Sequence, residues 1–173
     1  MTQSVELLLD EAADAEIRAQ WDRLGDAGLP TSRRSTPSPS HAPHVTLWAG
    51  DAIHPDHDAA LPRLFADLDL ELVVGSVMLF GPRRGSYVLV RAVVPSAALL
   101  GLQQQVVRCL RTPAYWGFGA GRWTPHVTLA RRVGTDQVGP ALAVLAASPP
   151  ELVTRVRQVR RWDSDAKRVW ALT

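Results

Sequence analysis

The sequence predicts an α+β protein of two similar lobes: antiparallel sheets with flanking helices, a central cleft, and an approximate internal twofold axis. Three observations carry this. The pentapeptide Pro-His-Val-Thr-Leu occurs twice, at Pro43–Leu47 and Pro125–Leu129, so the second histidine follows the first by 126 − 44 = 82 positions. Around both copies the apolar periodicities come in one order: strand, helix, motif strand, helix, strand. A hydrophobic share of 46% over 173 residues is enough to bury a real core. The chain is expected to be one domain, residues 1–173, with lobe-forming repeats at approximately 1–82 and 83–173.

The elements follow in order. Val5–Leu9 has the composition of a strand, and Ala12–Ala27 that of a helix with Ile17, Trp21 and Leu24 on one stripe. A shift of 82 lays these on Tyr87–Arg91 and on Val94–Cys109, whose stripe is Leu99, Leu102 and Val106. In each motif Val, Thr and Leu favour an extended strand. Strand alternation then puts His and Thr on one face and Val and Leu on the other. His54–Leu68 and Asp136–Pro150 are expected as helices interrupted by Pro62 and Pro140. Asp69–Phe80 and Glu151–Trp162 are expected as strands, with a last strand at Lys167–Leu172 after the Asp163-Ser164-Asp165 turn.

Three connections stand out. The loop at residues 29–43, with Pro30, Pro37 and Pro39, is either a flap or a plain connector. Gly81–Gly85 is a turn joining the halves. The aromatic, glycine-rich loop at residues 112–124 either stacks on a base or plugs the gap between lobes.

Composition narrows the function classes. A formal net charge of +2 is too small for bulk nucleic-acid binding. No apolar run approaches the roughly 20 residues that span a bilayer. Met1-Thr2-Gln3-Ser4 does not open a secretory signal, so a cytoplasmic monomer is expected. Cys109 is the only cysteine, which leaves no internal disulfide and suggests a packing role. His41, His54 and His57 lack the partners of a zinc site. Neither metal nor cofactor is expected.

Two imidazoles and two hydroxyls around one cavity suit metal-free acid–base chemistry, because histidine titrates near working pH, at about 6.5. Alternation continued past the motifs places Trp48 on the face of His44 and Thr46, where it either stacks on a base or packs between lobes. It places Arg132 with His126 and Thr128, where it either binds phosphate or is a solvated arginine at a strand end, and turns Arg131 away unless the strand bulges. Tyr87, Phe118 and Trp123 are further base-stacking candidates. Arg91, Arg155, Arg157, Arg160 and Arg161 either line a basic groove or belong to ordinary half-exposed strands.

The paired His-x-Thr motifs, each preceded by a strand and a helix, resemble the two-histidine (2H) phosphoesterase superfamily over nearly the whole chain. The likeness is nearest to its LigT-like, or 2'-5' RNA ligase, branch. The resemblance implies that His44 and His126 are the catalytic pair and that Thr46 and Thr128 bind phosphoryl oxygens. It implies a phosphodiesterase that opens 2',3'-cyclic phosphates, with RNA ends as the leading partner and reversible 2'-5' ligation in some members. A small cyclic nucleotide, such as a cyclic phosphate of ADP-ribose, is the rival substrate, and a non-catalytic RNA-end or nucleotide-binding module the rival class. Trp48 departs from the smaller residue expected after the first motif, which bears on substrate fit.

Overall fold

The computed structural model describes residues 2–36, 38, 40–57 and 59–173; Met1, Pro37, Pro39 and Asp58, expected above in the N-terminus, the first loop and a helix, lie outside the described residues. Strand β1 (Gln3–Leu9) leads into α1 (Glu11–Asp26), and the first motif lies in β2 (His44–Gly50). Strands β3 (Glu71–Arg83) and β4 (Ser86–Val93) form a hairpin, followed by α2 (Ala97–Leu110). The second motif opens β5 (His126–Gly134), which runs into α3 (Thr135–Leu145), β6 (Leu152–Asp163) and β7 (Arg168–Ala171).

Among the described residues these seven strands pair antiparallel in the order β1-β2-β5-β4-β3-β6-β7, and β1 also pairs with β6. Six strands thus close a circuit, with β7 on its rim. The seam between β2 and β5 is its thinnest point, a single pair, Val45 with Val127.

Local chemistry sets the helix starts. Asp10 caps α1 by accepting from the Ala13 amide at 2.9 Å, and its other oxygen accepts from the Arg155 amide at 3.0 Å. Ser96 caps α2 through the Leu99 amide. Both helices bury the stripes that the sequence predicts: Ile17, Trp21 and Leu24 on α1, and Leu99, Leu102 and Val106 on α2. They pack with Val5, Leu7 and Leu9 of β1 and with the valines and leucines of both motifs in one core, each buried aliphatic contributing roughly 1.5–3 kcal/mol. Cys109 is partly buried on α2 against that core.

Two expectations need correction. Among its described residues the stretch from His54 to Leu68 holds only two short 3-10 turns, at Pro55–His57 and Pro62–Leu64, because its prolines remove amide donors. Its counterpart α3 keeps Pro140 inside an α-helix. The 82-residue shift also fails for the first strands. Thr46 pairs with Glu6 and Thr128 with Val90, so β1 corresponds to β4 at a shift of two more residues. No described helix is long and apolar enough to cross a membrane.

Candidate active site

Because Val45 and Val127 pair in register and are fully buried, His44, Thr46, His126 and Thr128 share the opposite face. Antiparallel continuation sets His44 across from Thr128 and His126 across from Thr46. The imidazoles therefore occupy diagonal corners of one patch. They are not carried on lobes that confront each other, as the repeat by itself suggests, because the motif strands are neighbours in one sheet. Both rings are held alike: Nδ1 lies 2.8 Å from the Ala42 carbonyl in His44 and 2.8 Å from the Thr124 carbonyl in His126. A carbonyl only accepts, so each Nδ1 carries its proton and donates, and each Nε2 is left as the working nitrogen.

Matching bulges follow the threonines. Trp48 pairs with Val5 next to the Thr46–Glu6 pair, so Leu47 is a surplus residue; Ala130 pairs with Leu89 next to the Thr128–Val90 pair, so Leu129 is another. A surplus residue reverses the faces that come after it. Trp48 consequently turns into the core, fully buried, and offers no face to a base. A second irregularity in β5 lies opposite Val88, and there Arg132 takes a left-handed backbone, φ +59°. It is Arg131 that lines the cleft. The phosphate-binding candidate therefore moves from Arg132 to Arg131.

The cleft is a cavity of about 670 Å³ whose wall includes His44, Thr46, Thr128, Arg131 and Phe118. His126 stands across from Thr46 of that wall. Tyr87 and Trp123 have other contacts. Tyr87 pairs with Val133 and packs on the core. Trp123 instead donates its indole N–H to the Thr46 carbonyl at 2.9 Å, and Trp21 of α1 donates to the Thr128 carbonyl at 3.0 Å. Each motif is thereby clamped by a tryptophan from outside it.

The two long loops cross to the other half in the same way: Ser32 bonds the Leu129 carbonyl and Tyr115 the Ala49 carbonyl, both at 2.8 Å. His41 stacks on Trp21 and its Nε2 meets the Ser32 carbonyl at 2.7 Å.

The basic groove does not form. Arg91 is buried against the carbonyls of Pro149 and Pro150, Arg161 against Gln3 and the Ile53 carbonyl, and Arg155 pairs with Asp69. Arg157 is exposed and lies away from the cleft. Of the five only Arg160 reaches the cavity, through a residue that sequence reasoning missed. Arg160 Nε donates at 2.8 Å to Glu6, whose other oxygen accepts from Ser4 Oγ at 2.7 Å and lies 3.6 Å from His44 Nε2.

Burial by itself would raise the Glu6 carboxyl. The charges of His44 and Arg160 and the Ser4 hydroxyl hold it below its ordinary value. Removing one partner of a buried pair typically costs about 3–5 kcal/mol. The missed signal is a lone glutamate inside an apolar strand, on the face opposite Val5 and Leu7.

His126 has different surroundings. Phe80 of β3 meets its ring edge-on at 4.9 Å. Desolvation lowers its pKa, the Thr124 carbonyl partly offsets this, and the charges of His44 and Arg131 lower it further. His41 is likewise lowered, chiefly by burial. Among the described residues no three His, Cys, Asp or Glu side chains cluster in a way that could hold a metal ion; His54 and His57 are a ring pair away from the cleft.

The model of the 2'-5' RNA ligase superfamily matches residues 11–168 of this chain. TT0787 of Thermus thermophilus is similar over 100% of this chain and 96% of its own, at 18% identity and a TM-score of 0.59. Escherichia coli LigT complexed with 3'-AMP is similar over 99% and 97%, at 16% identity and a TM-score of 0.52. Kluyveromyces marxianus Usb1 with uridine monophosphate is similar over 99% and 97%, at 10% identity and a TM-score of 0.54. No curated relative matches the chain. At such identities the solved structures establish the shared fold, an antiparallel sheet with flanking helices.

Proposed function

The chain belongs to the 2'-5' RNA ligase superfamily, and we propose that it is a metal-independent phosphodiesterase that hydrolyses 2',3'-cyclic phosphate ends of RNA or of related nucleotides. The observation that carries this is the pair of imidazoles on neighbouring strands, each across from the threonine of the other motif and each with Nδ1 tied to a backbone carbonyl, so that Nε2 is the working nitrogen.

One imidazole takes a proton from water as the water oxygen bonds to phosphorus. The bond from phosphorus to the ribose oxygen breaks, its electron pair stays on that oxygen, and the other imidazole protonates it. The product is a phosphomonoester with a free ribose hydroxyl, and solvent resets both rings. Thr46, Thr128 and Arg131 donate hydrogen bonds to the nonbridging oxygens. The cavity of about 670 Å³ suits a nucleotide, in keeping with the nucleotides bound to LigT and Usb1. Ligation is the same chemistry with a ribose hydroxyl taking part in place of water.

The test is a product assay on 2',3'-cyclic nucleotides and cyclic-phosphate RNA. One regioisomer is expected, unaffected by EDTA, with His44→Ala and His126→Ala each losing about 10²–10⁴-fold in kcat. Turnover abolished by chelation and restored by a divalent ion, or surviving in both variants, would overturn the proposal.

A further inference from the structure

We propose that Glu6 is a positioning residue that makes His44 the general acid and leaves His126 as the general base. This rests on the phosphodiesterase reading above. Three independent features converge on it.

The first is geometry. The Glu6 carboxylate is buried and fixed by Arg160 and Ser4, with one oxygen 3.6 Å from His44 Nε2. That distance is too long for a hydrogen bond and short enough for an ion pair. The carboxylate therefore stabilises a proton on Nε2 without holding it, as a donor to a third atom requires.

The second is that the feature is not duplicated. The residue across from Thr46 is Glu6, and the one across from Thr128 is Val90. His126 has instead the Phe80 ring and the Arg131 charge beside it. The charged and titratable groups around His44 are Glu6 from β1, Arg160 from β6, His126 and Arg131 from β5, and His41 from the preceding loop. Of these, only Glu6 is an anion.

The third is the direction in which the cavity opens. Its wall continues past His44 through Ser4, Glu6, Tyr115, Arg160 and Trp162. The nucleoside, which carries the leaving oxygen, therefore sits beside His44, and the attacking water beside His126. His126 Nε2 receives the proton from water, and His44 Nε2 gives its own to the ribose oxygen.

The first measurement needs no substitution at Glu6. In the full chain, ¹⁵N NMR of the two imidazoles, assigned with His44→Asn and His126→Asn, is expected to show His44 holding its charge to higher pH than His126. The second is the pH profile of kcat/KM. In Glu6→Gln the alkaline limb is expected to move to lower pH while the acid limb stays. Since Glu6→Gln leaves Arg160 without its partner and could cost the fold, Glu6→Gln with Arg160→Met serves as the neutral counterpart. It is expected to show the same displaced limb, whereas a merely structural ion pair would return the wild-type profile. His126 holding its charge to higher pH than His44, or a double variant with the wild-type alkaline limb, would overturn the proposal. Absent turnover with the titration order intact would count against the phosphodiesterase reading alone.

Discussion

The two motif strands carry one pentapeptide and one local geometry, yet their surroundings are opposite in character. Both histidines tie Nδ1 to the carbonyl two residues back, both threonines are followed by a bulge, and both threonine carbonyls accept from a tryptophan. Beyond that the halves part. Around His44 lie Glu6 and Arg160; around His126 lie Phe80 and Arg131. At the shift of 82, Arg131 falls on Ala49, a cleft residue without charge. The lesson is that the repeated residues set position, and the residues that do not repeat set charge. A symmetric scaffold can hold two identical imidazoles in place, but acid–base catalysis needs one of each protonation state.

The sharpest way to break this comparison is at the arginines. Arg131→Ala is expected to lower kcat/KM by about 10- to 100-fold, the loss of a hydrogen bond between charged groups, with little change in stability. Arg132→Ala, one residue along and outside the cleft, is expected to leave turnover near wild type. Steady-state kinetics on a 2',3'-cyclic nucleotide decides it. Equal effects of the two substitutions would mean that the bulged register of β5 does not orient the site.

That pair also marks the boundary of what the sequence makes legible. The motif strands, α1, α2, α3 and the long strands β3 and β6 are readable because their apolar periodicities are intact. His44, Thr46, His126 and Thr128 are readable because they repeat. Alternation points to Trp48 and Arg132, and both fail for one reason: each lies past a bulge, and a single surplus residue reverses every side chain after it. Glu6 and Phe80 escape notice for another reason. They do not repeat, and they reach the site through pairings of strands distant in sequence, β1 with β2 for Glu6 and β4 with β5 for Phe80 of the β3–β4 hairpin, a long-range arrangement that local pattern does not encode. The arginines of β6 alternate with apolar residues as a groove would. Yet Arg160 and Arg161 turn inward to buried partners, a choice made by burial and not by periodicity.

The tryptophan clamps test whether the halves are equivalent where they look alike. Trp21→Phe and Trp123→Phe each remove one N–H donor and leave a threonine carbonyl without its bond, a cost of about 1–3 kcal/mol in a buried setting and less where water reaches. Trp21 is 4% exposed and Trp123 is only half-buried, so Trp21→Phe is expected to lower Tm further. Thermal unfolding compares them directly. A larger loss from Trp123→Phe would show that the first motif, and not the second, depends more on its clamp.

The smallest effect is the most specific to the division of charge. His126 binds its proton less readily in the folded chain than in the unfolded one, because desolvation and the charges of His44 and Arg131 oppose it. Below the ordinary histidine range, about pH 6.5, the unfolded chain therefore holds the extra proton, and stability falls as pH drops through the lowered value. Acidification from about pH 7.5 to about pH 5.5 keeps the carboxylates Glu6, Asp10 and Asp163, all held below their ordinary values, out of the titration. Over that window the Tm of the wild type is expected to fall, that of His126→Asn to fall less, and that of His41→Asn with His126→Asn least, since His41 is lowered by burial too. Had His126→Asn the same Tm slope as the wild type, the folded chain would hold the proton on His126 as readily as the unfolded one. The surroundings of His126, with Phe80 and Arg131, would then have lost their claim to hold the neutral ring.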